Sequence, residues 1–249
     1  MKLENNTVLI TGGSSGIGLE LSKVLIQKGN KVIICGRSNE KLTKAREIEP
    51  KLITYQCDLS ISEECINFSK KITEKHPELN VLINNAAIVN KTNFLNTDTI
   101  VEMAENEMQT NFMAPIRLIH LLSPILQKNN KPTIINITTG LIYTPRADYP
   151  FYNATKAALH SFTQVFRKQT ENSNINIVEV MFPAVKTPWH KGKPPKIAIS
   201  AEKAVNEMIK GLEKNKKEIR VAGAKMLYIV SRIAPKFAFR KVNSLEDEE

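Results

Sequence analysis

Tyr152 and Lys156 are the two residues of this sequence best placed to do chemistry together. They stand four positions apart in the helical pattern PFYNATKAALH, so they share one helix face about a turn apart. An ammonium on that face favours the phenolate. The spacing therefore predicts a phenol pKa below its ordinary value of about 10, and makes Tyr152 a candidate acid/base near neutral pH. Upstream, the apolar run Thr133 to Ile137 ends in Thr138-Thr139-Gly140. The Thr139 hydroxyl, at the end of a strand, is placed to meet Tyr152 across a shared substrate atom.

A second constellation lies near the N-terminus, in Thr11-Gly12-Gly13-Ser14-Ser15-Gly16-Ile17-Gly18. It follows the short β-branched run Thr7 to Ile10 and opens a helical pattern with Ile17, Leu21, Val24 and Leu25 on one face. A strand, a glycine turn and a helix N-terminus together make an anion site, because free N–H groups and the positive dipole end point at one place. Glycines let a diphosphate approach where a Cβ would intrude. The same letters also match G-x-S-x-G, the nucleophile elbow of serine hydrolases, with Ser14 as nucleophile and His76, His120, His160 or His190 as base. No HGGG-like oxyanion loop precedes it, so the hydrolase is the weaker alternative.

The elements that must hold these groups alternate along the chain. Strands are expected at Thr7–Ile10, Lys31–Cys35, Leu52–Gln56, Val81–Ile83, Thr133–Ile137, Ile175–Phe182 and Ile219–Ala222, with helical patterns between them. One long helix is expected over Glu107–Leu126 and others near Glu40–Ile48, Ser62–His76 and Ser200–Lys210. Alternation without repeats predicts a single α/β domain: a doubly wound, Rossmann-type parallel sheet of about seven strands with helices on both faces. Residues 1–130 form mainly its cofactor-binding half, 131–222 its catalytic and substrate half, and 223–249 a basic, apolar C-terminal extension. In such a fold the ribose is read at the end of the second strand, where Arg37 stands instead of an acidic residue. A guanidinium there suits the 2′-phosphate of NADP(H) and favours it over NAD(H).

The 249 residues are 42% apolar and carry a formal charge of +10. Much of the excess lies between Lys214 and Lys241, where nine Lys/Arg face a single acid, Glu218, before the acidic end Leu245–Glu249. No nucleic-acid recognition motif accompanies this charge, so no nucleic-acid partner is expected. Phosphate groups of a cofactor or a membrane are the better match. Three cysteines at odd spacing, the absence of a signal-peptide pattern and the absence of a long apolar run point to a cytoplasmic protein, in which no metal site is expected. Met226, Ile229, Ile233, Phe237 and Phe239 alternate with Lys225, Arg232, Lys236, Arg240 and Lys241. This segment reads either as a cover for a pocket or subunit interface, or as a peripheral contact with an anionic membrane.

With these motifs in order, the chain from about Thr7 to Thr187 resembles the short-chain dehydrogenase/reductase family. The wording of VIICGRS, NVLINNA and YNATKAALHSF is similar to its DltE-like subgroup. The resemblance implies NAD(P)-dependent interconversion of a carbonyl and an alcohol, with Tyr152 as acid/base, Lys156 beside it, Thr139 at the family's substrate-orienting serine, and Asn111 as a helix-bending relay residue. It implies cofactor contacts from Gly12, Ser14, Ser15, Gly16, Ile17 and Gly18, and from Tyr152 and Lys156, the lysine on the nicotinamide ribose. Further contacts would come from Asp58-Leu59 at the adenine, Asn85-Ala86 in Asn-Asn-Ala-Ala, and Pro183, Val185 and Thr187 around the nicotinamide. Asp58 reads equally well as the cap of the helix near Ser62. The resemblance further implies a homo-oligomer through the helices near 107–127 and 151–170, and a substrate lid over 188–199. Leu141, Ile142, Tyr143, Phe151 and Trp189 suggest an apolar substrate. A protein that binds the nucleotide or a membrane without catalysis is the remaining alternative.

Overall fold

The computed structural model describes residues 3–190 and 194–245. Its N-terminal half alternates strictly: β1 (Thr7–Thr11), α1 (Gly16–Gln27), β2 (Lys31–Gly36), α2 (Asn39–Ile48), β3 (Ile53–Gln56), α3 (Ser62–Lys75) and β4 (Val81–Asn84). Then come α4 (Ile100–Met108), α5 (Ala114–Lys128), β5 (Thr133–Thr139), α6 (Pro150–Gln169) and β6 (Asn176–Phe182). The chain closes with the short β7 (Val185–Lys186) and β8 (Ile199–Ser200), then α7 (Ala201–Glu213), β9 (Glu218–Arg220), α8 (Gly223–Ile233) and α9 (Pro235–Asn243).

Seven strands pair in parallel in the order β3-β2-β1-β4-β5-β6-β9. The central strands are apolar along their whole length because both faces are covered. Alternate residues feed two cores. Val8 and Ile10 pack with Leu21 and Leu25 of α1 and Met208 and Leu212 of α7. Leu9 and Ile33 pack on the other face with Phe68 of α3 and Leu118 and Leu122 of α5. Strand order reverses beside β1, so the C-terminal ends of β1 and β4 diverge into a crevice, the usual ligand position of such sheets.

The structure corrects three expectations. The long helix begins earlier, as α4 at Ile100, and is interrupted by a π turn at Gln109–Met113 before α5. Asn111 explains the interruption: its Nδ2 donates to the Ile88 carbonyl and its Oδ1 accepts from the Ile88 amide, both at 2.8 Å. The seventh strand stops at Arg220, because Ala222 takes φ 42° and its amide donates to Glu207. Asp58 does not cap α3. Its carboxylate instead accepts from the amide and hydroxyl of Ser60, and Ile61 occupies the cap position.

β7 and β8, a two-stranded parallel pair, were not legible as strands. They carry Val185 and tie the start of the expected lid to its end. Within that lid Pro188–His190 form a 3-10 turn, while residues 191–193 lie outside the described residues.

Candidate active site

The glycine turn between β1 and α1 is built by close approach. Gly12 has φ +64°, and a Cβ there would lie 2.9 Å from Ala86 Cα; at Gly18 it would lie 2.3 Å from the Gly12 carbonyl oxygen. Side chains brace the turn from beneath. The Asn85 amide group donates to the Thr11 and Gly12 carbonyls at 2.9 and 3.2 Å, and the Thr11 hydroxyl accepts from the Asn85 and Ala86 amides at 2.9 and 3.0 Å. α1 has no acidic residue in its first turn, and Ser15 at its cap makes no side-chain bond to it. Its first N–H groups are thus left for an anion from outside the helix.

A cleft of about 310 Å³ opens above this turn. It is lined by Gly12, Ser14, Ser15, Gly16, Ile17, Gly18, Arg37, Asp58, Leu59, Asn85, Ala86 and Thr187, all expected from the sequence. Ser38 and Lys41 line it as well and were missed. Lys41 follows Arg37 by four residues, and both side chains are exposed on the same rim, so their spacing was the available signal. Pro183, Val185, Tyr152 and Lys156 lie outside this lining; Val185 is buried in β7.

Tyr152 and Lys156 stand on α6, which packs against β5 and the turn that follows it. Lys156 is 2% exposed, and its Nζ donates to the Ile137 carbonyl at 2.8 Å and sits 6.0 Å from the centre of the Tyr152 ring. Burial pushes its pKa down to about 8, partly opposed by the Glu179 carboxylate. The Tyr152 phenol is pushed up to about 12 by burial, opposed by a hydrogen bond with Thr139 and reinforced by Glu107. This reverses the expected direction. The lysine's bond goes to the main chain, and desolvation of the phenolate outweighs an ammonium that does not bond it. Thr139 Oγ1 also accepts from the Leu141 amide at 3.2 Å, which fixes the hydroxyl at the strand end.

Asn111 is fully buried and reaches Thr155, the residue before Lys156, at 3.2 Å. One turn earlier, Glu107 is also fully buried. Its Oε1 accepts from the Asn90 amide and side chain at 2.8 and 2.9 Å, while Oε2 has no hydrogen-bond partner, and burial raises its pKa. Glu179, inside β6, is the second buried carboxylate of the site. Neither was singled out from sequence, although an acid within the apolar run NIVEVMF was a visible signal for Glu179.

The sequence model describing short chain dehydrogenases matches residues 6–198.

The chain belongs to that family.

As a short chain dehydrogenase it is an oxidoreductase. It is similar to the uncharacterized oxidoreductase DltE of Bacillus subtilis, with 38% identity over 99% of this chain and 100% of the relative. A short chain dehydrogenase from Burkholderia cenocepacia, solved in complex with NADP, has the same fold: TM-score 0.85 and 22% identity, covering 97% of this chain and 99% of that one. A second, from Burkholderia phymatum in complex with NAD, gives a TM-score of 0.82 at 14% identity over 95% and 96% of the two chains.

Other features fit a short chain dehydrogenase better than the hydrolase alternative. His76 bonds the Tyr55 hydroxyl at 2.9 Å, His120 is exposed on α5, His160 bonds Glu179 and His190 packs on Trp189, so none of these contacts serves Ser14. Among the described residues no group of three or more His, Cys, Asp or Glu could hold a metal ion. None of their helices is long and apolar enough to cross a membrane. The C-terminal helices lie beside the turn after β5 and the loop that enters α6. Ala224 of α8 would meet a Cβ at Gly140 at 3.2 Å, and Asn243 of α9 bonds Pro145 and Ala147 in the loop that enters α6.

Proposed function

We propose that this protein interconverts a carbonyl and an alcohol with NADP(H), using Tyr152 as acid/base. The observation that carries this reading is Tyr152, Lys156 and Thr139 brought together at the end of β5, in the half of the fold that adjoins a cleft built on the glycine turn. The turn would receive the diphosphate at the α1 N-terminus, Asp58-Leu59 the adenine, and Thr187 the nicotinamide end. When bound, the nicotinamide supplies or accepts the hydride. The chain's own part is the proton and the geometry. Thr139 and Tyr152 hold the carbonyl oxygen, and Tyr152 gives it a proton during reduction. Lys156 supplies positive charge beneath, and Asn111 with the Ile88 main chain continues the relay towards solvent.

Arg37 supports NADP(H) over NAD(H), with Lys41 beside it on the rim. Calorimetric titration with NADPH and NADH in parallel tests this. Charge-assisted bonds to a 2′-phosphate predict at least about tenfold tighter NADPH binding, most of it lost in Arg37→Ala. Equal binding of the two cofactors by wild type would overturn the preference and leave the fold untouched.

The substrate is proposed to be apolar. Trp189 packs on Tyr149 at 5.7 Å and Phe94 on Phe151 at 6.3 Å around the entrance to α6. A homo-oligomer through α5 and α6, where Val165 is 55% exposed, belongs to the same proposal.

A peripheral membrane contact is a second reading, favoured by one observation. Met226, Ile233 and Phe237 are 70%, 80% and 59% exposed on α8 and α9, and Lys225, Arg232, Lys236, Arg240 and Lys241 are exposed among them. Sedimentation should then carry the protein down with phosphatidylglycerol vesicles and leave it in solution with phosphatidylcholine. No binding to the anionic vesicles ends this reading.

A further inference from the structure

Glu179 has no part in the chemistry described so far, yet it is a carboxylate with no exposure, in the middle of a parallel sheet. A buried charge of this kind persists only when it is hydrogen-bonded and matched. Its hydrogen bonds come from two sides. The Thr138 hydroxyl, on β5 next to Thr139, donates to Oε1 at 2.6 Å, and His160 Nδ1 lies 2.9 Å from both oxygens. His160 is one helical turn beyond Lys156, as Lys156 is one turn beyond Tyr152, so all three share the α6 face turned to β5 and β6. Lys156 reaches the β5 main chain at Ile137, whose register partner on β6 is Val180, the residue after Glu179.

Of the other acids near the pair, Glu107 on α4 acts on Tyr152 and is bonded by Asn90, and the charges on β9 are matched among themselves and with Arg167. Glu218, the register partner of Glu179 on β9, pairs with Arg167 at 3.2 Å and with Arg220 at 2.5 Å. Tyr143 accepts from Arg220 at 2.9 Å and packs edge-on to His160. His160 is left bonding the Glu179 carboxylate, and Lys156, one turn earlier on the same face of α6, carries its Nζ to the neighbouring β5 main chain.

We propose that Glu179 is a positioning residue of the reaction: it is the buried counter-charge that keeps Lys156 an ammonium beneath Tyr152, with Thr138 and His160 fixing its oxygens. The inference rests on the catalytic reading of Tyr152 and Lys156. It assigns the dry side of the site a definite electrostatic role, since a cation in a low-dielectric pocket needs an anion held in place.

The test follows the Lys156 side chain itself, by NMR titration of its Cε signal in the protein without added cofactor, assigned by its loss in Lys156→Met. The wild-type midpoint is expected near 8. In Glu179→Gln, which keeps the side-chain shape, it should fall by about one pH unit or more. Glu179→Asp, with the charge drawn back by one methylene, should fall between them. The alkaline limb of the pH–rate profile, measured with NADPH and decanal, should move with the midpoint. A midpoint that does not move, or a limb that does not follow it, overturns the inference. If Glu179→Gln fails to fold, Glu179→Asp alone decides between a smaller acidward shift and none. Tyr152→Phe in the same assay separates the two ideas. If that variant keeps full turnover, the catalytic reading falls and this role with it; if it is inactive while Glu179→Gln leaves Lys156 unmoved, only the role of Glu179 falls.

Discussion

Tyr152→Phe is expected to bind NADPH as wild type does and to lose about 10²- to 10⁴-fold in kcat, the range attributed to a positioned acid or base. The ring remains, so the packing at the start of α6 is kept; only the hydroxyl and its bond with Thr139 are removed. Calorimetry and steady-state kinetics on one preparation read the two halves of the prediction. Undiminished turnover would refute the assignment. With its phenol pushed up to about 12, Tyr152 holds its proton throughout the working pH range. On the proposed reading, the site is therefore loaded for reduction. Oxidation must first draw that proton away, so the oxidative rate should climb with pH where the reductive one does not.

Lys156→Met is expected to abolish most turnover and yet to raise thermal stability at pH 7. A buried ammonium whose pKa falls from 10.5 to about 8 is disfavoured by folding. That shift, which already contains the attraction of Glu179, corresponds to roughly 3 kcal/mol, and losing the bond to the Ile137 carbonyl takes back about 1 kcal/mol. The net gain corresponds to a Tm rise of about 4–8 °C for a chain of this size. The sign with pH is fixed by proton binding. Between about pH 8 and 10.5 the unfolded chain holds the lysine proton and the folded one does not, so wild-type stability from this group rises through that window. The advantage of the methionine variant should therefore shrink above pH 8. A variant that melts lower than wild type at pH 7 would show that the packing or the Ile137 bond outweighs the desolvation of the charge.

The sheet was legible because a parallel sheet buried on both faces writes its strands as apolar runs. The cleft was legible because backbone approach demands glycine at fixed places, as Gly12 and Gly18 illustrate. What sequence reasoning missed depends on contacts between distant residues. The π turn at Asn111 needs the Ile88 main chain, and the end of β9 needs Glu207. The titration of Tyr152 was misread for the same reason. Spacing along a helix shows that a lysine is near, but not that its proton goes to a carbonyl or how dry the phenol is. β7 and β8 are two residues each, too short for any periodicity to register.

The brace beneath the glycine turn has a bearing on how the chain is made. Thr11 and Gly12 are held by Asn85, more than seventy residues further along. At about 5–20 residues per second, a ribosome needs roughly 4–15 s to add that intervening stretch. During that interval the loop destined for the diphosphate has neither its floor nor the strand that seats it. Nascent chains shorter than β4 should thus be unable to retain a nucleotide, and a pause in translation before Asn85 would prolong the exposure of β1 and β2, two apolar strands with an unpaired edge.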